Sequence, residues 1–285
     1  MSDAPHEPVM VAEVLSFLAD RGSVLDLTLG AGGHAEALLD AGVGRVVGVD
    51  RDPEAIDLAT RRLARFGERF VAVRARFSRF PADAPVDGVL LDLGVSSMQL
   101  DRPERGFGYR APGPLDMRMG PDATSAMDLV NDLPETELAD VIFELGEERG
   151  SRRIAAAIVR ARHRAPIETT DELARIVAGA IGARPGRAHP ARRTFQALRI
   201  RANEELEELR AVLPRAVDAL APGGRVVVIA YHSLEDRIAK RFFAAEPRLQ
   251  ILTRKPLEAT PEEQHRNPRS RSAKLRAAER RPEAA

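Results

Sequence analysis

Apolar and polar positions along this chain alternate between two periods. Residues 9–18 set Val11, Val14, Leu15 and Leu18 at the three, four and seven spacing of an amphipathic helix, expected over the edge of the first strand. Short, mostly apolar runs follow at residues 24–29, 45–49, 70–74 and 86–93, the length of strands buried on both faces. Between them lie helical patterns, one over residues 35–39 and one from Asp52-Pro53 to about Phe66, with Asp as N-cap and Pro at N1. Strands alternating with helices predict an α/β fold built on a doubly wound, mostly parallel sheet.

The rhythm then breaks. Residues 94–111 carry glycine and proline and are too polar for a strand, and residues 128–200 show no strand pattern. Helices are predicted at 134–145, at 151–164 and at 170–181, the last with Thr170 as cap. Asn203 is read as the cap of a longer helix through Leu206, Leu209, Leu213, Val217 and Leu220, ended by Pro222-Gly223-Gly224. A strand at 225–231 resumes the sheet, and residues 249–253 and 272–278 predict an antiparallel pair at its edge. The expected organisation is a discontinuous Rossmann-like domain, residues 1–114 and 206–285, with an all-helical domain inserted at 115–205.

Composition adds limits. A chain of 285 residues, 44% hydrophobic and 30% charged, has the makings of a soluble globular core. It has no cysteine, which excludes disulfides and thiolate metal sites, and no cluster of metal ligands is evident. The N-terminus lacks a signal-like apolar segment and no run is long enough to span a membrane, so a cytoplasmic protein is expected. Forty-three basic and forty-three acidic residues cancel, but their distribution is uneven. Residues 151–164 hold five arginines and no acid, residues 184–201 six arginines and His189 and no acid, and residues 254–281 nine basic residues against four acids. Solvated helix faces normally mix signs, so these stretches point to a phosphate backbone. Phe107, Tyr109, Phe195 and Tyr231 are the aromatics available to stack an unpaired base.

The candidate chemistry gathers at residues 24–50: strand, the glycines Gly30, Gly32 and Gly33, helix, strand, and then Asp50. Glycines admit a ligand close to the backbone, and a carboxylate twenty residues after Gly30 suits two ribose hydroxyls. Gly30-x-Gly32-x-x-Ala35 also fits a loose dinucleotide fingerprint. Asp26, just before the turn, would repel a pyrophosphate and attract a sulfonium or ammonium group, which favours S-adenosylmethionine. At the other strand ends stand Phe77, for an adenine ring or for the core, and Asp92, to orient an exocyclic amine or to cap the next turn. Gln99 lies in the loop beyond Asp92. His232 is a proton acceptor or base contact, or merely closes the turn before a helix for which Ser233 and Asp236 form an approximate capping box. An NADP oxidoreductase is disfavoured by Asp26, Asp50 and the basic insertion; a non-catalytic RNA-binding factor with a relic donor site stays open.

Several stretches together resemble one family. They are His6-x-Pro8-Val9, Asp26-x-Thr28-x-Gly30-x-Gly32-Gly33-His34, Asp50-Arg51-Asp52-Pro53, and the run from Leu91 through Asp92 and Ser97 to Asp101. Gly113 to Met119, Gly146 to Arg149, Thr194 to Ile200, His232 to Arg237 and Arg271 to Arg276 continue the match nearly end to end. The chain is similar to the RsmH (MraW) family of bacterial small-subunit rRNA cytosine-N4 methyltransferases. The resemblance implies a class I methyltransferase fold with a helical insertion that recognises RNA, S-adenosylmethionine as donor, and a cytidine in the decoding centre of 16S rRNA as acceptor. It implies donor contacts at Gly32, Gly33, His34, Asp50, Phe77, Asp92 and Gln99.

Overall fold

The computed structural model describes residues 8–80, 84–109, 111–121, 123–182 and 189–282. His6 of the N-terminal motif and Arg184 and Arg187 of the second basic stretch lie outside the described residues. In chain order the elements begin α1 (Val11–Leu18), β1 (Ser23–Asp26), α2 (Gly33–Asp40), β2 (Arg45–Asp50), α3 (Pro53–Leu63), β3 (Phe70–Arg74) and β4 (Val86–Asp92). A helical run follows: α4 (Ser97–Asp101), α5 (Ala126–Asp132), α6 (Glu135–Gly146), α7 (Ser151–Arg162), α8 (Thr170–Ile181), α9 (Arg192–Asn203) and α10 (Glu205–Ala219). The chain closes with β5 (Leu220–Ala230), α11 (Ser233–Ala245), β6 (Leu249–Ile251), α12 (Pro261–Arg266) and β7 (Lys274–Arg280).

The strands form one sheet in the order β3-β2-β1-β4-β5-β7-β6, parallel from β3 to β5 and antiparallel where β7 meets β5 and β6. Alternate side chains go to opposite faces, as the strand period of two requires. Val89 and Leu91 of β4, with Val226 and Val228 of β5, pack with Leu209, Leu213 and Val217 of α10. Leu90, Val227 and Ile229 face the other way, onto a layer with Val14 and Leu18 of α1, Leu38 of α2 and Leu63 of α3. Helices thus cover both faces. Because β1 is central, α1 lies over the sheet face and not over an edge. Strand β1 stops at Asp26, short of the predicted 29, yet Leu27 and Leu29 stay buried. Their N–H groups donate to Leu90 and Val49 carbonyls at 2.9 and 3.0 Å, so the apolar run continues as a buttressed turn.

The chain divides into two compact units, Met1–Gly94 with Leu206–Ala285, and Val95–Glu205. The division falls at residue 94, not 114, because Val95, Phe107, Tyr109 and Leu115 pack into the helical core with Leu138, Ile142, Ile154, Leu173 and Leu198. Two predicted caps fail for a shared reason: their side chains serve more distant backbone. The Thr170 hydroxyl donates to the Ala111 carbonyl at 3.0 Å and accepts from Gly113 N at 3.1 Å, and Thr169 holds the cap position. Asn203 ends α9 instead of starting α10: its Nδ2 donates to the Met117 carbonyl at 2.8 Å, and its Oδ1 accepts from Met119 N at 2.9 Å. No helix among the described residues is long and apolar enough to cross a membrane.

Candidate functional site

Between β1 and α2 the backbone folds back on itself. Gly32 N donates to the Leu29 carbonyl at 2.8 Å, and Thr28 N to Asp26 Oδ1 at 3.1 Å. Gly30 and Gly32 have φ of 51° and 81°, in the left-handed region that favours glycine. A Cβ on Gly32 would also press Leu63 Cδ1 at 3.0 Å and Ala59 Cβ at 3.2 Å, and one on Gly33 would meet Pro8 Cγ at 3.0 Å. Helix α2 opens beyond this turn with no side-chain cap. Asp50, at the end of β2, ties the turn down: Oδ2 accepts from Gly30 N and Oδ1 from Asp52 N, each at 2.9 Å. Burial raises the Asp50 carboxyl above its ordinary range, and these two bonds act against the rise. The Arg51 backbone N–H bonds to the same carboxylate and also lowers its pKa.

Asp26 and Asp92 complete a carboxylate group around the same turn. Asp26 is buried and its Oδ2 has no hydrogen-bond partner, an uncommon state for a buried polar atom. Desolvation pushes its pKa to about 6, with His34 pulling the other way and Asp92 and Asp50 adding to the rise. The buried His34 ring contacts the Val9 carbonyl through Nε2 at 2.9 Å. A carbonyl can only accept, so Nε2 carries the hydrogen and Nδ1 is the acceptor of a neutral ring, which burial favours. That Nδ1 lies 3.6 Å from Asp92 Oδ2.

Asp92 is held from two sides. Its N–H donates to Thr28 Oγ1 at 2.6 Å, and its Oδ1 accepts from the Tyr231 hydroxyl at 2.8 Å. Burial and the adjacent Asp92 charge raise the Tyr231 phenol well above its usual value, so it stays a donor. Burial pushes Asp92 to about 7; the Tyr231 bond lowers it and Glu235 raises it. Its side chain is still 23% exposed, so the carboxyl is both perturbed and reachable. Beyond β5, Tyr231 N donates to Glu235 Oε2 at 2.9 Å, and Glu235 Oε1 lies 3.2 Å from Nε2 of the nearly buried His232. The capping box expected here does not form. His232 occupies the cap position, and Asp236 pairs instead with Arg276 at 2.7 and 3.2 Å.

The structure therefore brings Gly30, Gly32, Gly33, Asp26, His34, Asp50 and Asp92 together at one end of the parallel strands. Phe77 follows β3 half-buried, packed against the apolar layer of the α10 face. Gln99 belongs to the helical unit, where its Oε1 accepts from Ser96 N at 3.1 Å in a capping box for α4. Phe107 and Phe195, expected as base stackers, are core residues of that unit. Thr28, the Tyr231 hydroxyl and Glu235 were not foreseen as site residues. The pairing of Tyr231 with Asp92 joins positions 139 apart, a separation that no local pattern reports.

A doubly wound sheet with a glycine turn after its first strand, an acid ending its second and a buried carboxylate with one unpartnered oxygen beside the turn defines a class I methyltransferase that uses S-adenosylmethionine. The orphaned Asp26 oxygen and the glycine cradle fit that donor, whose positive charges would find the carboxylate and whose bulk needs the missing side chains. A family model described as the MraW methylase family matches residues 3–281. The chain is 51% identical over 302 aligned residues to the Azorhizobium caulinodans protein named ribosomal RNA small subunit methyltransferase H, covering 97% of this chain and 87% of that one. A Heliobacterium modesticaldum protein of the same name is 48% identical over 306 residues, covering 96% and 98%. The chain belongs to the MraW methylase family, and the oxidoreductase alternative falls with that finding.

Proposed function

We propose that this protein methylates small-subunit ribosomal RNA at the exocyclic N4 of a cytidine in the decoding centre. The relatives' name supports the RNA, the family resemblance supports the position, and the observation that carries the chemistry is the Asp92 carboxyl. Asp26, Gly30, Gly32, Gly33, His34, Asp50 and Phe77 would hold the donor, which when bound supplies an electrophilic methyl group on a sulfonium.

Cytosine N4 is a weak nucleophile because its lone pair is delocalised into the ring, so position and proton removal decide the rate. Tyr231 occupies Asp92 Oδ1, which leaves Oδ2 as the oxygen that accepts the N4 hydrogen. With a pKa of about 7, Asp92 is ionised often enough to accept and basic enough to take the proton that N4 must release. His34 Nδ1, 3.6 Å from Oδ2 and kept neutral by burial, would accept a hydrogen bond from the protonated carboxyl. His232, beyond β5, is the second candidate for a base contact. The helical unit would read the RNA through its arginines.

The test is methyl transfer from labelled donor to small subunits from cells lacking the protein, with the modified nucleoside identified by mass spectrometry. Label on cytidine N4 is expected. Asp92→Asn should lower kcat at saturating donor by about 10²–10⁴-fold, the usual worth of a positioned base, and His232→Ala by less. Unchanged kcat in both variants would overturn the assignment of the acceptor.

A further inference from the structure

Three rings of the helical unit stack from its core to its surface. Phe195 on α9 is buried. Tyr109 meets it edge-on, with centroids 5.5 Å apart and planes at 77°, and is half-buried. His189 then lies nearly flat on Tyr109, 4.8 Å away at 19°, and is exposed. Its Nδ1 accepts from Ala191 N at 3.2 Å, which fixes the plane of the ring as well as its place. A buried anchor, a braced middle ring and an exposed outer ring hold an aromatic face at the surface with little side-chain freedom left to lose. Exposed Arg192 and Arg201 lie on the α9 helix that follows.

We propose that the Tyr109–His189 pair is a stacking platform for one unpaired nucleobase of the RNA substrate. This rests on the RNA reading above and deepens it: every base offers a π-face to such a ring, and nearby arginines suit the phosphates that flank it. The assignment moves base stacking from Phe107 and Phe195, which the core has taken, to a histidine that the pattern of aromatic residues does not single out.

The experiment uses the full-length protein and single-stranded oligoribonucleotides that carry one 2-aminopurine, stepped along the strand, whose fluorescence is quenched on stacking. Wild-type protein should quench it. His189→Asn keeps an acceptor for Ala191 N but removes the ring; it should relieve the quenching and weaken binding about 5- to 150-fold, the worth of one stacked base. His189→Phe restores a ring without the acceptor and should restore both signals. If His189→Asn quenches and binds like wild type, the platform is overturned. It is overturned equally if His189→Phe fails as His189→Asn does, because an aromatic ring at this position then does not restore the signals. Fluorescence separates this from the enzymatic reading: quenching by a protein that methylates no cytidine N4 sinks the reaction alone, and N4 methylation without quenching sinks the platform alone.

Discussion

The Tyr231 hydroxyl bond to Asp92 lowers the pKa of a carboxyl that burial has raised to about 7. The groups facing that carboxyl are Asp26 at the end of β1, His34 on α2 and Glu235 on α11, besides Tyr231 itself. Tyr231→Phe removes the stabilisation of the charged form, so the Asp92 pKa rises further. If ionised Asp92 accepts the proton, kcat/KM rises with pH through that value, and in Tyr231→Phe the acid limb should move to higher pH with donor affinity little changed. A pH–rate profile measures this, and an unmoved limb would separate Tyr231 from the acceptor. Asp26 carries a second consequence. Its folded pKa of about 6 exceeds its ordinary 3.8, so the folded chain holds a proton that the unfolded chain has released across that interval. Stability therefore falls as pH rises from about 4 to 6, by ~3 kcal/mol at about 1.4 kcal/mol per pH unit, and the cost persists above it. Asp26→Asn should be more stable than wild type in urea at pH 8, with the gain gone at low pH, while donor binding weakens. Equal stability of the two proteins at pH 8 would contradict a buried carboxylate with an unpartnered oxygen.

Strands were legible where burial alone defined them: β2 ends on Asp50 and β3 spans Phe70–Arg74 as the apolar runs implied. The β1 run misled because a buried turn is as apolar as a buried strand. The glycine turn and the acids at the strand ends were readable because a βαβ unit places them through local geometry. Asn203 and Thr170 were not, since short polar side chains suit a cap and a long-range bridge equally well. The 94–114 segment looked like an outlying loop, yet it is pinned by close backbone packing. Gly106 has φ of 75°, and a Cβ there would sit 2.2 Å from the Pro114 carbonyl oxygen and 2.7 Å from Asp116 N. Gly182 has φ of 77° with nothing within 4 Å. With ψ of 139° it lies in a positive-φ extended region, so Gly182→Ala should cost only backbone strain, about 1–3 kcal/mol, and Gly106→Ala distinctly more. Thermal unfolding of the two variants compares them directly.

Across the whole chain, a net charge of zero conceals segregation. Residues 119–148 contain nine acids and no lysine or arginine, and the arginine-rich α7 follows directly. Arg152, Arg153 and Arg160 on α7 are exposed, whereas Arg162 donates to the Val130 carbonyl at 2.7 Å. If the exposed arginines meet phosphates, an Arg152→Gln/Arg153→Gln double variant should bind all single-stranded RNA sequences more weakly. The slope of log affinity against log salt should become shallower by about 1.4, or ~0.7 per lost contact. The placement of the helical unit has a further consequence, for synthesis. Asp92 ends β4, Tyr231 follows β5, and the whole helical unit is made between them. At ~5–20 residues per second, Tyr231 leaves the ribosome roughly seven to thirty seconds after Asp92. The helices have that interval in which to fold, while the glycine turn waits on an open sheet. A nascent chain released anywhere within the helical unit would carry most of the residues that hold the donor and lack the hydroxyl that orients Asp92, so translation itself delays activity until the last third of the sheet has been made.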